Sequence, residues 1–301
     1  MPPFELGAVI PIIQSGPDRA IPGWREIHEQ ARRAEEIGFD TIWTPDELLW
    51  RTDEGPPRGA WDGVSMAGAV AAVTSRAKVG TWVLSALHRN PGILAKTAET
   101  LDEISGGRFI FGLGAGHEWP GQARSFGLPE TQIFARFEEA LQIIVPLIRE
   151  GHADFEGTFH AARDLPQAPR GPRPGSMPLL LGGNGPKGQR LAVRFADIYS
   201  CYIEERASAE EVEPRIASLE AICAELGRDP ASIGRSVGVW VRPLEPAGVR
   251  PSALSGSAEQ IADAVRSFHG VGFTQVELMY LPGTMEALEA LAPVVEVLRA
   301  D

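Results

Sequence analysis

Three stretches of this sequence combine residue types that could do chemistry. In LLLGGNGPKG (residues 179–188) an apolar run ends in glycines and enters a helix opened by Pro186. Backbone N–H groups at such a turn lie at the positive end of the helix, where an anion such as phosphate is held. Pro186 loses nothing in the first helical turn, where its missing donor would have no partner. Gly182, Gly183, Asn184 and Gly185 are therefore a candidate cradle, with Lys187 and Arg190 as added charge. The same glycines would also serve a tight strand-to-helix turn without a ligand.

In TPDELLW (residues 44–50) the pair Asp46–Glu47 ends another apolar run. A carboxyl group there does general acid–base work if burial lifts its pKa toward neutrality. Otherwise it caps a helix or carries a solvated loop charge. His117 follows GLGAG (residues 112–116), and an imidazole near pH 7 is suited to moving a proton to or from a carbonyl or hydroxyl. The alternative is a histidine that ties down the following loop. His88, just beyond a third apolar run, is within reach of the same region.

Other chemistries have less support. The 6 histidines form no HExxH cluster. His152 and His160 flank a short hairpin turn with Glu156 between them, where side chains face solvent, so no metal site is expected. A G-x-S-x-G nucleophile elbow is absent.

The composition agrees with a small-molecule site. With 44% hydrophobic and 23% charged residues in 301, this is an ordinary globular chain, neither disordered, fibrous nor a disulfide scaffold. Its net charge of -12 leaves no electrostatic footprint for nucleic acid or an anionic membrane face. Any anionic ligand must then be held by a local device such as the glycine turn. Cys201 and Cys223 sit in apolar runs, which points to a reducing compartment. No stretch approaches the ~20 apolar residues of a membrane span, and the N-terminus carries no basic leader region. A cytoplasmic protein is expected.

Periodicity places the candidate residues on eight strand–helix units. Apolar runs at residues 6–13, 39–45, 77–86, within 105–116 (a turn, a strand and a glycine-rich exit), 178–183, 196–202, 232–241 and 274–280 read as strands. Helical spacing follows each, at 24–37, 62–74, 91–104, 132–149, 186–195, 207–226, 258–269 and 285–299. Strands apolar throughout are buried on both faces, as in a parallel sheet. Eight units without an early GxGxxG predict a closed α/β (β/α)₈ TIM barrel, a single domain over residues 1–301, rather than an open doubly wound sheet. An insertion precedes the fifth strand: a short hairpin (152–164, turning at Gly157) and a Pro-rich loop (165–178). The active site is expected at the C-terminal ends of the strands. Its pocket is expected from loops 46–60, 117–130, 165–178 and 242–256.

The block from His88 to His117, HRNPGILAKTAETLDEISGGRFIFGLGAGH, together with EEIGFDTIWTPDELLW and PLLLGGNGPKGQRLAVRFADIYS, resembles the bacterial luciferase-like superfamily. With the ADFEGTFH hairpin, the resemblance covers roughly residues 4 to 205. These are (β/α)₈ enzymes that use FMN or the deazaflavin coenzyme F420. The resemblance implies a bulge in the third strand, in F420 enzymes with a non-proline cis peptide, supporting one face of the flavin ring. The match falls on Trp82 and Val83, although a small residue is commoner at the Trp82 position, and Trp82 could instead pack outside the barrel under a helix. Gly114 and Gly116 of GLGAG, with the GGNG turn, complete the implied cofactor set. Relatives usually carry Asp-His where this chain has Asp46–Glu47, and an acidic residue or Trp at the His117 position, so the family's proton chemistry would pass to Glu47 and His117.

F420 carries an anionic oligoglutamyl tail, for which Arg170 and Arg173 in the Pro-rich loop, with Lys187 and Arg190, are candidate partners. The 3 lysines against 25 arginines suggest a high-GC genome, an association that favours F420. The resemblance therefore implies an F420-dependent oxidoreductase transferring hydride to or from a small organic substrate. An FMN-dependent monooxygenase, using reduced cofactor from a separate reductase, is the alternative. A cofactor-binding protein without turnover and a phosphosugar isomerase on the same barrel are the competing classes. The small-residue helix around residues 66–73 suits close packing against a second copy, and a homodimer is expected.

Overall fold

The computed structural model describes residues 4–14, 20–50, 56–116 and 122–300. Eight parallel strands close on themselves: β1 (Glu5–Val9), β2 (Thr41–Thr44), β3 (Lys78–Thr81, resuming at Leu84–Ser85), β4 (Phe109–Gly114), β5 (Leu179–Gly182), β6 (Ile198–Tyr202), β7 (Gly234–Arg242) and β8 (Gln275–Tyr280). Each pairs with its sequence neighbour, and β8 pairs back onto β1, so the sheet has no free edge. The helices outside are α1 (Trp24–Ile37), α2 (Gly63–Val73), α3 (Pro91–Ile104), α4 (Ile133–Glu150), α5 (Pro186–Phe195), α6 (Ala209–Leu226), α7 (Ala258–Gly270) and α8 (Ala292–Arg299). The expected TIM barrel is what forms.

Local chemistry sets the element ends. The Asp62 carboxylate accepts from Ser65 N at 2.8 Å at the head of α2, and Asn90 caps α3 through Gly92 and Ile93. Gly38, at φ 106°, ends α1 in the left-handed conformation that glycine adopts freely. The last helix departs from the expected single element. It is two pieces, Met285–Glu289 and α8, because Pro293 in the first turn of α8 lacks the donor that would continue a helix through Leu291.

Alternation along the strands divides two cores. Residues such as Leu6, Val79, Phe111, Tyr199, Val239 and Leu278 point outward and pack under the helices. A smaller cluster of Val9, Trp43, Ile110, Leu180 and Ile198 fills the barrel interior, with Trp82, Val83 and Met279 partly buried against it. The interior accommodates two indole rings because facing strands carry glycine. A Cβ on Gly80 would lie 2.2 Å from the Trp43 ring, and one on Gly238 would lie 2.2 Å from the Trp82 ring.

The hairpin forms as expected, from His152–Glu156 and Ala161–Pro166. Glu139 of α4 accepts from the backbone of Thr158, Phe159 and His160 and fixes its tip. The Pro-rich loop corrects an expectation. It precedes β5 and so runs to the N-terminal end of the barrel. There Arg173 donates to Asp102 at 2.5 Å and to the carbonyl of Phe109, at the start of β4. Arg170 donates to Glu99 at 3.2 Å and to the Ile148 carbonyl at 2.6 Å. Neither arginine faces the C-terminal rim, where this loop was expected to line the pocket.

Candidate active site

At the C-terminal end of β2, two adjacent carboxyl groups have opposite surroundings. Asp46 is buried and saturated. It accepts from Ser85 N at 2.9 Å and from both terminal nitrogens of Arg89, at 2.6 and 2.8 Å, with His88 Nδ1 3.3 Å away. Burial alone would raise its pKa, but the His88 and Arg89 hydrogen bonds and the Arg89 charge outweigh it and hold the carboxyl below its ordinary range. Asp46 is thus a fixed anion that ties the exit of β2 to the exit of β3.

Glu47 faces the reverse conditions. Its Oε2 is buried and has no hydrogen-bond partner among the described residues. Burial raises its pKa to about 7; its own backbone N–H opposes the shift and the neighbouring Asp46 charge adds to it. A carboxyl group with this affinity exchanges a proton at neutral pH in either direction. The loop that carries it is held by Gln122, whose Oε1 accepts from Leu48 N at 3.2 Å and Leu49 N at 2.9 Å, while its amide lies 3.4 Å from His88 Nε2. Neither Gln122 nor Arg89 was singled out by sequence. Nothing local marks a glutamine 73 residues away as a loop anchor.

His117 lies outside the described residues. His88 is inside the site but engaged with Asp46 and Gln122. It also lines a cavity of about 290 Å³ between the exits of β3 and β4, with Arg89, Arg136, Phe137 and His160 on the other walls. His152 pairs across the hairpin with Asp164 at 2.9 Å.

The third strand breaks where the resemblance implied, with a cis peptide at Trp82–Val83. Trp82 points into the barrel rather than under a helix. Its ring packs over Gly238, and its Nε1 donates to Ser200 Oγ at 2.9 Å. Val83 is seated between β4 and β5, where a Cβ on Gly114 would come 2.9 Å, and one on Gly182 3.3 Å, from its methyl groups. Gly116, at φ 106°, turns the chain away beside Ser85 and Leu87.

The glycine turn after β5 is mixed. Gly183 N donates to the Ser200 carbonyl at 2.9 Å and is not free for a ligand. A Cβ on Gly183 would come 3.0 Å from Gly188 Cα, so this glycine also serves the tight strand-to-helix contact. Asn184 bridges Glu204 and Tyr202 N, at 2.9 and 3.0 Å, which occupies its side chain. The start of α5 itself remains uncapped, since Gly185 offers no side chain, and the first-turn N–H groups of Lys187 and Gly188 are the available donors. Arg190 is turned away into a bidentate pair with Glu225 at 2.8 Å; Lys187 is exposed. The orphaned Glu47 oxygen, the half-buried Trp82 and Val83, and the uncapped helix share one end of the barrel. Such a set fits a flat ring with a phosphate tail.

Residues 4–242 match the model of the luciferase-like monooxygenase family, and the chain belongs to that family. It is 31% identical over 191 residues to an F420-dependent glucose-6-phosphate dehydrogenase of Amycolatopsis mediterranei, covering 60% of this chain and 54% of that one. It is 27% identical over 243 residues to pyrimidine monooxygenase RutA of Methylorubrum extorquens, covering 76% and 65%. The chain thus spans about half the length of the curated dehydrogenases it matches. In three dimensions it superposes on an F420-dependent secondary alcohol dehydrogenase, solved with an F420–acetone adduct, with a TM-score of 0.78 over 99% of both chains at 20% identity. At that identity the likeness speaks for the fold.

Proposed function

We propose that this chain is an F420-dependent oxidoreductase that exchanges hydride between the deazaflavin and a small organic substrate. The observation that carries the reading is Glu47, a buried carboxyl at the strand ends with a pKa of about 7 and an oxygen that has no partner among the described residues. Hydride exchange with an alcohol or carbonyl requires one proton to leave or arrive, and Glu47 is the group positioned to handle it. F420, when bound, supplies the hydride acceptor or donor. Trp82 and Val83 support the ring face, the backbone around Gly114 and Gly116 borders it, and the turn at residues 182–185 with the head of α5 holds the phosphate. Lys187 adds the charge that Arg170, Arg173 and Arg190 do not supply. Asp46 positions Glu47 by fixing the loop, and His117 is a second proton carrier in the same proposal.

The wider match to a pyrimidine monooxygenase supports a second reading, an FMN-dependent monooxygenase fed by a separate reductase. Titration of the purified protein with F420 and FMN in parallel, followed by tryptophan fluorescence, separates the two. F420 binding at least tenfold tighter than FMN is expected. The reverse preference would favour O₂ chemistry, and binding of neither would overturn the cofactor assignment.

We also propose a cytoplasmic homodimer. Among the described residues, no helix is long and apolar enough to cross a membrane. Helix α2 buries Ala67, Val70 and Ala71 in its own barrel and leaves Ser65 and Ala72 exposed. Light scattering at twice 32.4 kDa is the expected result, and a monomeric mass would count against it.

A further inference from the structure

An unbroken hydrogen-bonded chain runs through the barrel interior beneath the site. Trp82 Nε1 donates to Ser200 Oγ at 2.9 Å, Ser200 Oγ to Ser236 Oγ at 3.2 Å, and Ser236 Oγ to Glu277 Oε1 at 2.9 Å. From the other side Trp43 Nε1 donates to Glu277 Oε2 at 2.5 Å. An indole N–H can only donate, so both tryptophans must act as donors at the two ends of the chain, and with the carboxyl group ionised every hydrogen bond runs toward it. Glu277 is 1% exposed, and a Cβ on Gly7 would lie 1.8 Å from its Oε2, so the backbone of β1 has been cleared to admit it.

We infer that Glu277 is a positioning residue of this site: from inside the barrel it holds the indoles of Trp43 and Trp82, and its protonation state sets how firmly the Trp82 ring is held. The inference rests on the proposed function only in placing Trp82 under the cofactor. A carboxylate accepts all the incoming donors at once. A protonated carboxyl must itself donate; if its proton turns toward Ser236, the serine chain reverses and Ser200 is left accepting from both sides. The ionised form therefore grips Trp82, and the neutral form loosens it.

Burial pushes the Glu277 pKa up to about 8, against the pull of its Ser236 and Trp43 donors, so both protonation states are populated at mildly alkaline pH. The charged groups around it do not neutralise it. Glu5 on β1 and Asp40 ahead of β2 add to the upward shift. The cations nearby are already paired, Lys78 with Glu5 at 2.5 Å and Arg299 with Asp40.

The test is the indole N–H resonances of ¹⁵N-tryptophan-labelled protein without added cofactor, followed from pH 6 to 9.5 and assigned with Trp43→Phe and Trp82→Phe. The Trp43 and Trp82 resonances are expected to move together, with one shared midpoint near pH 8. Both should be flat in Glu277→Gln. In Ser236→Ala, Trp43 should still titrate while Trp82 does not, and this variant decides the matter if Glu277→Gln fails to fold. A static Trp82 resonance in the wild type, or a titration that survives Glu277→Gln, would overturn the inference. F420 failing to bind while the two indoles titrate together would sink the cofactor reading and leave this one standing.

Discussion

Both ends of the barrel hold matched ion pairs, Asp46 with Arg89 at the C-terminal end among them, but they differ in what is left unpartnered. At the N-terminal end cations and anions are matched. Arg149 binds Asp197 at 2.5 Å and the Met177 carbonyl at 2.8 Å, Arg173 binds Asp102, Lys78 binds Glu5, and Arg299 binds Asp40. Glu35 accepts from the backbone of Ser75, Arg76 and Ala77, which closes the turn into β3. At the C-terminal end, one carboxyl oxygen of Glu47 is buried without a partner among the described residues, α5 starts without a side-chain cap, and Trp82 and Val83 are only half covered. The first end is largely closed by the chain itself, although Gln275 Oε1 at the head of β8 is buried there without a partner among the described residues. The second has binding capacity left over, and in this architecture that is where chemistry is done.

Variants at the two ends should fail in different ways. The largest effect is expected from Glu47→Gln. It keeps the shape of the side chain and removes the proton, so turnover should fall by about 10²–10⁴. The F420 Kd should stay within a few-fold of wild type, and the limb of the kcat/KM profile near pH 7 should vanish. An unchanged pH–rate profile would remove Glu47 from the mechanism.

Arg173→Ala, at the other end, leaves the Asp102 carboxylate buried without its partner, at a cost of roughly 3–5 kcal/mol. Thermal unfolding should show Tm lowered by roughly 6 °C or more, with F420 affinity unchanged. Weakened cofactor binding in this variant would contradict the division of roles. Gly238→Ala touches both functions, because the new methyl group would enter the Trp82 ring. A loss of roughly 1–3 kcal/mol in denaturant unfolding is expected, together with weaker F420 binding.

A smaller effect concerns pH. Glu47 and Glu277 have folded-state pKa values raised to about 7 and about 8, so between the ordinary carboxyl range and those values the folded chain holds protons that the unfolded chain has released. Their contribution to stability is complete at acid pH and is lost as pH rises toward 8. Tm measured from pH 5 to 9 should therefore decline less steeply in Glu277→Gln than in the wild type. The smallest change is expected from Lys187→Ala. An exposed lysine near the head of α5 should alter the F420 Kd by no more than a few-fold, and less at high salt.

The barrel and its order of elements were legible because the strands are mostly apolar runs and the helix starts carry local signals, the Asp62 cap and the prolines Pro91 and Pro186 in the first turn. The Trp82–Val83 position was legible through the family motif. Partnerships across the barrel were not. Asp46 reads as a candidate base until Arg89, 43 residues away, is found bound to it. The glycine turn reads as a complete anion cradle until Gly183 N is found in the sheet. Two signals were present and passed over. Glu277 interrupts an apolar strand at an inward position, where a carboxyl group needs a reason, and Gly7, Gly80 and Gly238 mark close approach inside strands. The placement of Arg170 and Arg173 at the rim failed on topology alone, since a loop that leads into a strand ends at the opposite face.

The most direct test of the contrast between the two ends is hydrogen–deuterium exchange of the wild-type protein with and without saturating F420. Protection is expected in peptides covering residues 44–49, 82–88, 114–116 and 184–188, with no change at 166–178. Protection concentrated in the Pro-rich loop at the N-terminal end, or none at the strand ends under saturating F420, would contradict the account.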